Sequence, residues 1–174
     1  MKCVKFILPI FCLLALIRGE IVAQNNNAIE WNKLHYLSEE EMLSTHRDPV
    51  FCETDPPTGE VRFPAEFEPM QAVTISYPVG VPLSFVRLLS ERTQVYVIVE
   101  SRYENGARYA FSHEGCNMDS ITFFHMTTDS YWVRDFGPWF IFDGLEPAIV
   151  DNAYNRDRPL DNMVPVHMGE QLDL

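Results

Sequence analysis

The feature that most constrains the fold is an apolar run at 95–99, in which four of the five residues are β-branched. Such a run predicts a central strand buried on both faces, as in a parallel sheet. Apolar patterning predicts further strands at 72–77 and 121–124. Helical spacing at 82–89 and 104–112 predicts a helix between each pair of strands. This alternation of strand and helix predicts an α/β fold.

The flanking segments carry weaker patterns. Residues 139–142 and 148–150 predict a β-hairpin around Asp143 and Gly144. A serine at 38 followed by three glutamates predicts a short capped helix. The tail, 163–174, shows no capping signal, so it is expected to lack a regular end.

The amino terminus has the pattern of a signal peptide. Two lysines precede an apolar run at 6–17, and small residues suited to cleavage follow, with Ala23 as the predicted site. The run is too short for a permanent membrane span, although an uncleaved anchor is the alternative. A breaker at 55–59 then marks entry to the main domain. We therefore expect a signal peptide at 1–23, an extension at 24–58 and a main domain at 59–174, in a secreted or periplasmic protein.

The charge of the chain limits its partners. Residues 1–23 contain three basic residues and one acidic residue, so their removal would change the net charge from −12 to −14. Nucleic acid is an unfavourable partner, because neutralising phosphates requires a basic face. Cationic substrates are favoured electrostatically, but net charge alone does not identify them.

The cysteines and histidines give no firm site. Cys52 and Cys116 could form a disulfide in an oxidising compartment, or both could be free thiols. His113 and Cys116 are three residues apart, which suits a nucleophile pair or part of a metal site. A helix end capped by Gly115 is the favoured interpretation of that segment. His125 and His167 are isolated, and ordinary packing or exposure is expected for both.

The densest chemical segment is 128–139, with the letters TDSYWVRDFGPW. A Gly-Pro turn directly follows Asp135, where a side chain can face a cleft. A carboxylate beside indole faces suits guanidinium, a planar cation with paired N–H donors. The alternative is that Trp132 and Trp139 are core residues and that Arg134 pairs with nearby acids.

A second candidate cluster lies at 154–159, with the letters YNRDRP. Arg156 and Arg158 could converge on one carboxylate if the backbone is irregular. The alternative is a solvated loop with charges of both signs.

The segment at 132–138 resembles the W-x-R-D-x-G-P motif of the agmatine deiminase and bacterial peptidylarginine deiminase family, and the resemblance extends over 52–174. It implies that 59–174 is an incomplete deiminase catalytic domain, which forms part of a pentein-like, five-bladed α/β propeller and is truncated before the carboxyl-terminal blades. It implies hydrolysis of a guanidine to a ureido group and ammonia by a cysteine thiolate and a histidine, without metal or organic cofactor.

Residue by residue, the resemblance implies that Asp135 binds the guanidinium and that Trp132 lies beside it. Arg156 and Arg158 match a pair that holds the substrate's terminal carboxylate, which favours peptides ending in arginine over agmatine. Neither Cys52 nor Cys116 matches the nucleophile, and His113 does not match the catalytic histidine. The chain alone is therefore expected to be inactive.

Two other functions are compatible with the sequence. One is an agmatine deiminase of putrescine biosynthesis, supported by the shared motif but not by the predicted export. The other is a non-catalytic secreted product that binds arginine-bearing peptides, supported by the missing cysteine and histidine.

Overall fold

The structure is a computed structural model, and it describes residues 36–43 and 57–174. The strands are β1 (Val61–Arg62), β2 (Ala72–Ser76), β3 (Gln94–Val99), β4 (Ile121–His125), β5 (Trp139–Asp143) and β6 (Glu146–Val150). The helices are α1 (Glu39–Leu43), α2 (Leu83–Ser90), α3 (Glu104–Glu114), α4 (Val133–Phe136), α5 (Pro159–Asn162) and α6 (Val164–Leu172). Short 3-10 turns occupy Ser101–Tyr103 and Met118–Ser120.

The main sheet is parallel, in the order β2–β3–β4. Strand β3 lies in the middle, with Val97 opposite Ile75 on one side and Phe123 on the other. The helix α2 connects β2 to β3, and α3 lies between β3 and β4. The α/β fold predicted from the sequence is confirmed for this part of the chain.

The central strand is buried on both faces, because its side chains alternate between two cores. Val95, Val97 and Val99 pack in the first core with α2 and α3. Ile98 points into the second core, where it lies with Phe136 and other apolar residues. The β-branched run therefore specifies both the strand and its central position.

The first core is closed by α3. Phe111 is fully buried, with its ring edge-on to Tyr77 at 6.0 Å between centroids and stacked on Phe123 at 6.2 Å. The helix ends at Glu114 and is capped by Gly115, whose φ of 83° lies in the left-handed region that favours glycine. The predicted capped helix end at this position is confirmed.

The second sheet is antiparallel, in the order β1–β5–β6. Strands β5 and β6 form a hairpin in which Asp143 pairs with Glu146, so the predicted hairpin is confirmed. The Asp143 carboxylate also accepts hydrogen bonds from the backbone N–H groups of Thr58 and Gly59. This contact attaches the start of the predicted domain to the hairpin.

Residues Val164–Leu172 of the tail form α6, and Asp173 caps it, so the prediction that 163–174 lacks a regular end is wrong. Pro165 lies in its first turn, and Val164 and Met168, one turn apart, are buried in the second core. Asp173 ends the helix in a left-handed conformation with φ of 59°, and the Leu174 N–H donates to the Gly169 carbonyl. An aspartate occupies the position where glycine is usual at such a helix end, so the sequence carried no capping signal there.

Among the helices at 36–43 and 57–174, none is long and apolar enough to cross a membrane. The predicted signal peptide, Cys52 and the breaker up to Pro56 lie outside the described residues.

Candidate active site

The two predicted motifs lie next to each other, because Asp161 fastens one to the other. Asp161 accepts hydrogen bonds from the backbone N–H groups of Asp129 and Ser130, at 2.8 and 3.0 Å. It also accepts one from the Ser130 hydroxyl at 2.6 Å. In return, the Asp129 carboxylate accepts the backbone N–H of Leu160 at 3.0 Å. The segment before Trp132 and the segment after Arg158 are therefore joined by four hydrogen bonds in both directions.

Asp161 is fully buried, which makes its environment unusual for a carboxyl group. Burial raises its pKa, and the hydrogen bonds from Ser130 and Asp129 oppose that rise without cancelling it. Sequence analysis missed Asp161, because its partners lie more than thirty residues earlier in the chain.

Tyr154 is a buried residue of the second predicted motif. Its ring is buried and stands edge-on to Phe136, at 6.1 Å between centroids. Burial is the main cause that raises the pKa of its hydroxyl. The charges of Asp161 and Asp135 also raise that pKa, whereas those of Arg158 and Arg156 lower it.

These charges act on the Tyr154 hydroxyl over a distance. Among the described residues, no hydrogen bond or ion pair joins Asp135 to Arg156 or to Arg158. Their exposure also differs, because Asp135 and Arg156 are exposed whereas Arg158 is buried.

Asp135 lies in the single turn of α4, rather than between a strand end and a turn as predicted. Its backbone N–H donates to the Trp132 carbonyl at 2.8 Å. Its side chain is exposed. A carboxylate binds guanidinium strongly when it is sheltered from water, and the described residues do not shelter the Asp135 carboxylate.

Trp132 and Trp139 are 40% and 46% exposed, so neither is a core residue. The Trp132 ring packs against Tyr131, with 4.9 Å between centroids. The alternative that both indoles only fill the core is wrong. Arg134 is almost fully exposed and lies 3.7 Å from an equally exposed glutamate, Glu66, which is a weak surface pair.

The turn after α4 is tightly built. Gly137 has φ of 92°, and a Cβ atom there would lie 2.8 Å from the Trp139 ring and 3.3 Å from Asn152 Oδ1. The following Gly137–Pro138 peptide bond is cis. The Asn152 Oδ1 atom is buried without a hydrogen-bond partner among the described residues, so it is an uncommitted acceptor beside this turn.

Arg156 and Arg158 have different surroundings, although they are two residues apart. Arg156 is exposed, whereas Arg158 is only 6% exposed. The Arg158 Nε donates to Glu41 Oε1 at 2.5 Å, and its Nη2 donates to Glu41 Oε2 at 3.3 Å and to the Tyr36 carbonyl at 3.4 Å. The solvated-loop alternative is therefore wrong for Arg158. The structure does not show both arginines on one carboxylate.

Glu41 also belongs to the predicted capped helix. The Ser38 N–H donates to Glu41 Oε2 at 2.7 Å, and the Glu41 N–H donates to Ser38 Oγ at 3.1 Å, which is a capping box. The hydrogen bond from Arg158 is the main cause that lowers the pKa of Glu41. For Arg158, burial opposes the positive charge, but Glu41 more than compensates and raises the pKa of the guanidinium.

A family comparison decides the identity of the chain. The model of the Porphyromonas-type peptidyl-arginine deiminase family matches residues 62–158, which is more than half of the chain. The chain belongs to this family. The family resemblance seen in the sequence is thereby confirmed, and the matched region contains the segment 132–138 together with Arg156 and Arg158.

Solved structures share the fold of this deiminase-family chain. A protein provisionally named an agmatine deiminase matches with a TM-score of 0.56 and 20% identity. A provisionally named peptidyl-arginine deiminase matches at 0.51 and 21%, and the agmatine deiminase of Enterococcus faecalis at 0.51 and 24%. Each match covers 66% of this chain, and 37%, 38% and 36% respectively of the other chain. The chain thus spans little more than a third of the length of these relatives.

Cys116 is the cysteine within the described residues of this deiminase-family chain, and it is not a candidate nucleophile. Cys116 is a buried free thiol, and burial raises its pKa, which disfavours the reactive thiolate. His113 lies at the end of α3 with its ring stacked on Tyr109. Within 36–43 and 57–174, no three His, Cys, Asp or Glu residues are grouped as a metal site would require.

Proposed function

We propose that this chain supplies the substrate-binding part of a protein-arginine deiminase that acts on peptides ending in arginine. The observation that carries the proposal is the set of hydrogen bonds, through Asp161 and Asp129, that holds the segment before Trp132 against the segment after Arg158. A peptide ending in arginine has a cationic guanidinium and an anionic carboxylate. A site with one carboxylate and two guanidinium groups is complementary to both.

In the proposed reaction, the guanidine C–N bond of the substrate breaks and water supplies the new oxygen. Peptidyl-arginine and water give peptidyl-citrulline and ammonia. Asp135 binds the guanidinium, and Trp132 offers an indole face to the planar cation. Asp135 needs a covering element to be sheltered from water, because its side chain is exposed in the described residues.

The proposal assigns the nucleophilic cysteine and the proton-transferring histidine to sequence outside this chain. It also includes a five-bladed propeller, of which these residues form the first part. The support is that the chain spans 36–38% of the similar structures. Export through the signal peptide at 1–23 belongs to the same proposal, and it rests on the sequence pattern.

A binding experiment tests the substrate assignment. The chain would be titrated with an arginine-terminated peptide as the free acid, with the same peptide as the amide, and with agmatine, followed by NMR. We expect the free acid to bind at least tenfold more tightly than the amide. We expect Arg156→Ala to remove most of that preference. Arg134→Ala is the matched control, because it removes an exposed arginine of the neighbouring helix α4. Equal binding of acid and amide would overturn the assignment of peptide carboxylate as the ligand.

An agmatine deiminase is the second candidate, and the names of two of the similar structures favour it. Agmatine has no carboxylate, so substitution of Arg156 would leave its affinity unchanged. In the same titration, agmatine binding more tightly than the peptide acid would favour this candidate.

A non-catalytic arginine-peptide-binding protein is the third candidate. It is favoured by the absence of a thiolate-competent cysteine from the described residues, where Cys116 is buried. Peptide binding without release of citrulline and ammonia by the complete gene product would support it.

A further inference from the structure

A two-point ion pair joins the 36–43 segment to Arg158. Both oxygens of the Glu41 carboxylate accept from the guanidinium, through Nε and Nη2. This two-point arrangement is how a guanidinium group binds a carboxylate of any origin. The partners are 117 residues apart in the sequence and belong to one compact unit, residues 32–174.

We propose that Glu41 occupies the place of the substrate's terminal carboxylate at Arg158, so that an incoming peptide acid has to displace it. This inference rests on the proposed function and adds to it. Glu41 would then set the selectivity of the site for carboxylates, because only a ligand with a free carboxylate can replace the ion pair that Arg158 makes with Glu41.

Within the described residues, the 36–43 segment contributes no side chain to either core. Helix α1 has five residues and buries none of them. Met42 and Leu43 are 63% and 83% exposed, so these apolar side chains do not pack into a core. A helix this short is not stable alone in water. The contact between Glu41 and Arg158 can therefore be exchanged without opening either core.

The segment also lies close to the aromatic part of the candidate site. Burial is the main cause that raises the pKa of Tyr131, and the charge of Tyr36 adds to that rise. Tyr131 packs against Trp132, the proposed wall for the guanidinium. Displacement of the segment would thus uncover Arg158 and change the surroundings of Tyr131, whereas the exposed Arg156 is open to a carboxylate from the start.

The first test needs no substrate. The full chain would be treated with phenylglyoxal, a dicarbonyl that modifies guanidinium groups, and the rate at each arginine would be followed by mass spectrometry. We expect Glu41→Gln to raise the rate at Arg158 at least tenfold. Glu40→Gln is the matched control, since it removes the same charge from an exposed position of the same helix. The exposed Arg156 serves as the internal reference for the reagent, and an unchanged circular dichroism spectrum shows that each variant remains folded.

An unchanged rate at Arg158 in Glu41→Gln would overturn the inference, whatever the substrate of the enzyme. The second step adds the arginine peptide as acid or amide to Glu41→Gln. Protection of Arg158 by the acid, at least fivefold greater than by the amide, supports the inference. The modification rate at Arg158 could instead rise in Glu41→Gln while acid and amide protect Arg158 equally. That result would show that Arg158 does not bind the peptide carboxylate, and it would overturn both this part of the proposed function and the competition by Glu41.

Discussion

Asp161 shows how a single buried carboxyl group can organise a site that it does not enter. It accepts hydrogen bonds from the backbone N–H groups of Asp129 and Ser130 and from the Ser130 hydroxyl, and both Asp161 and Ser130 are fully buried. Unsatisfied donors at that depth would be costly. The segment leading to Trp132 and the segment carrying Arg158 therefore hold their relative position through Asp161.

We expect Asp161→Ala to lower the free energy of unfolding by roughly 2–4 kcal/mol, because three buried donors lose their acceptor. Urea denaturation followed by circular dichroism would measure the change. Asp119→Ala, which alters an exposed aspartate, is the control and should stay within about 0.5 kcal/mol of the wild type. Equal effects of the two substitutions would show that the hydrogen bonds of Asp161 contribute nothing.

The Glu41–Arg158 pair predicts a dependence of stability on pH. The folded-state pKa of Glu41 is lowered from 4.5, so its contribution is present above that pH and is lost as pH falls through the lowered value. We expect Glu41→Gln to cost about 1–3 kcal/mol at pH 7. The difference between wild type and variant should shrink as the pH falls below 4.5.

Urea unfolding of both proteins between pH 3 and about pH 7 would measure this difference. The comparison cancels the other groups near the pair, among them Asp161, whose raised pKa acts in the opposite direction, and Tyr154. A difference that stays constant over this range would contradict an ionic contribution from Glu41.

At the scale of elements, the parallel sheet depends on the helices that cover it. Helix α3 places Phe111 in the first core and leaves Tyr109 70% exposed on its outer side. The helix thus carries one aromatic residue that excludes water and one that does not. The two residues allow a matched comparison of burial on one element.

We expect Phe111→Ala to destabilise the chain by about 3–5 kcal/mol, because it leaves a cavity against Tyr77 and Phe123. Tyr109→Ala on the same helix should cost less than about 1 kcal/mol. Thermal unfolding of both variants would measure the two losses of stability. A small effect at Phe111 would mean that the first core rearranges freely around the missing ring.

For the whole molecule, the two faces of the main sheet have different roles. The first core, with α2 and α3, stabilises the sheet. The second core contains Phe136 and Tyr154, which anchor the ends of the two candidate motifs. The candidate site is therefore attached to the sheet through the second core, and the exposed Trp132, Trp139 and Asp135 lie at its outer side.

The sequence predicted those parts of the molecule that depend on neighbours in the chain. The β-branched run at 95–99 identified the central strand, because a strand covered on both faces needs apolar residues at every position. The capping box at Ser38, the left-handed end at Gly115 and the hairpin at 143–146 each depend on residues within a few positions.

Contacts between distant residues were decided only by the tertiary structure. No local pattern pairs Glu41 with Arg158 or Asp161 with Ser130, since those partners are 117 and 31 residues apart. The sequence alone determined the alternation of strands and helices, through apolar periodicity, and the family, through a short motif with fixed spacing. The structure decided which arginine is buried and which carboxylate it binds, because burial and ion pairing arise when separate segments meet.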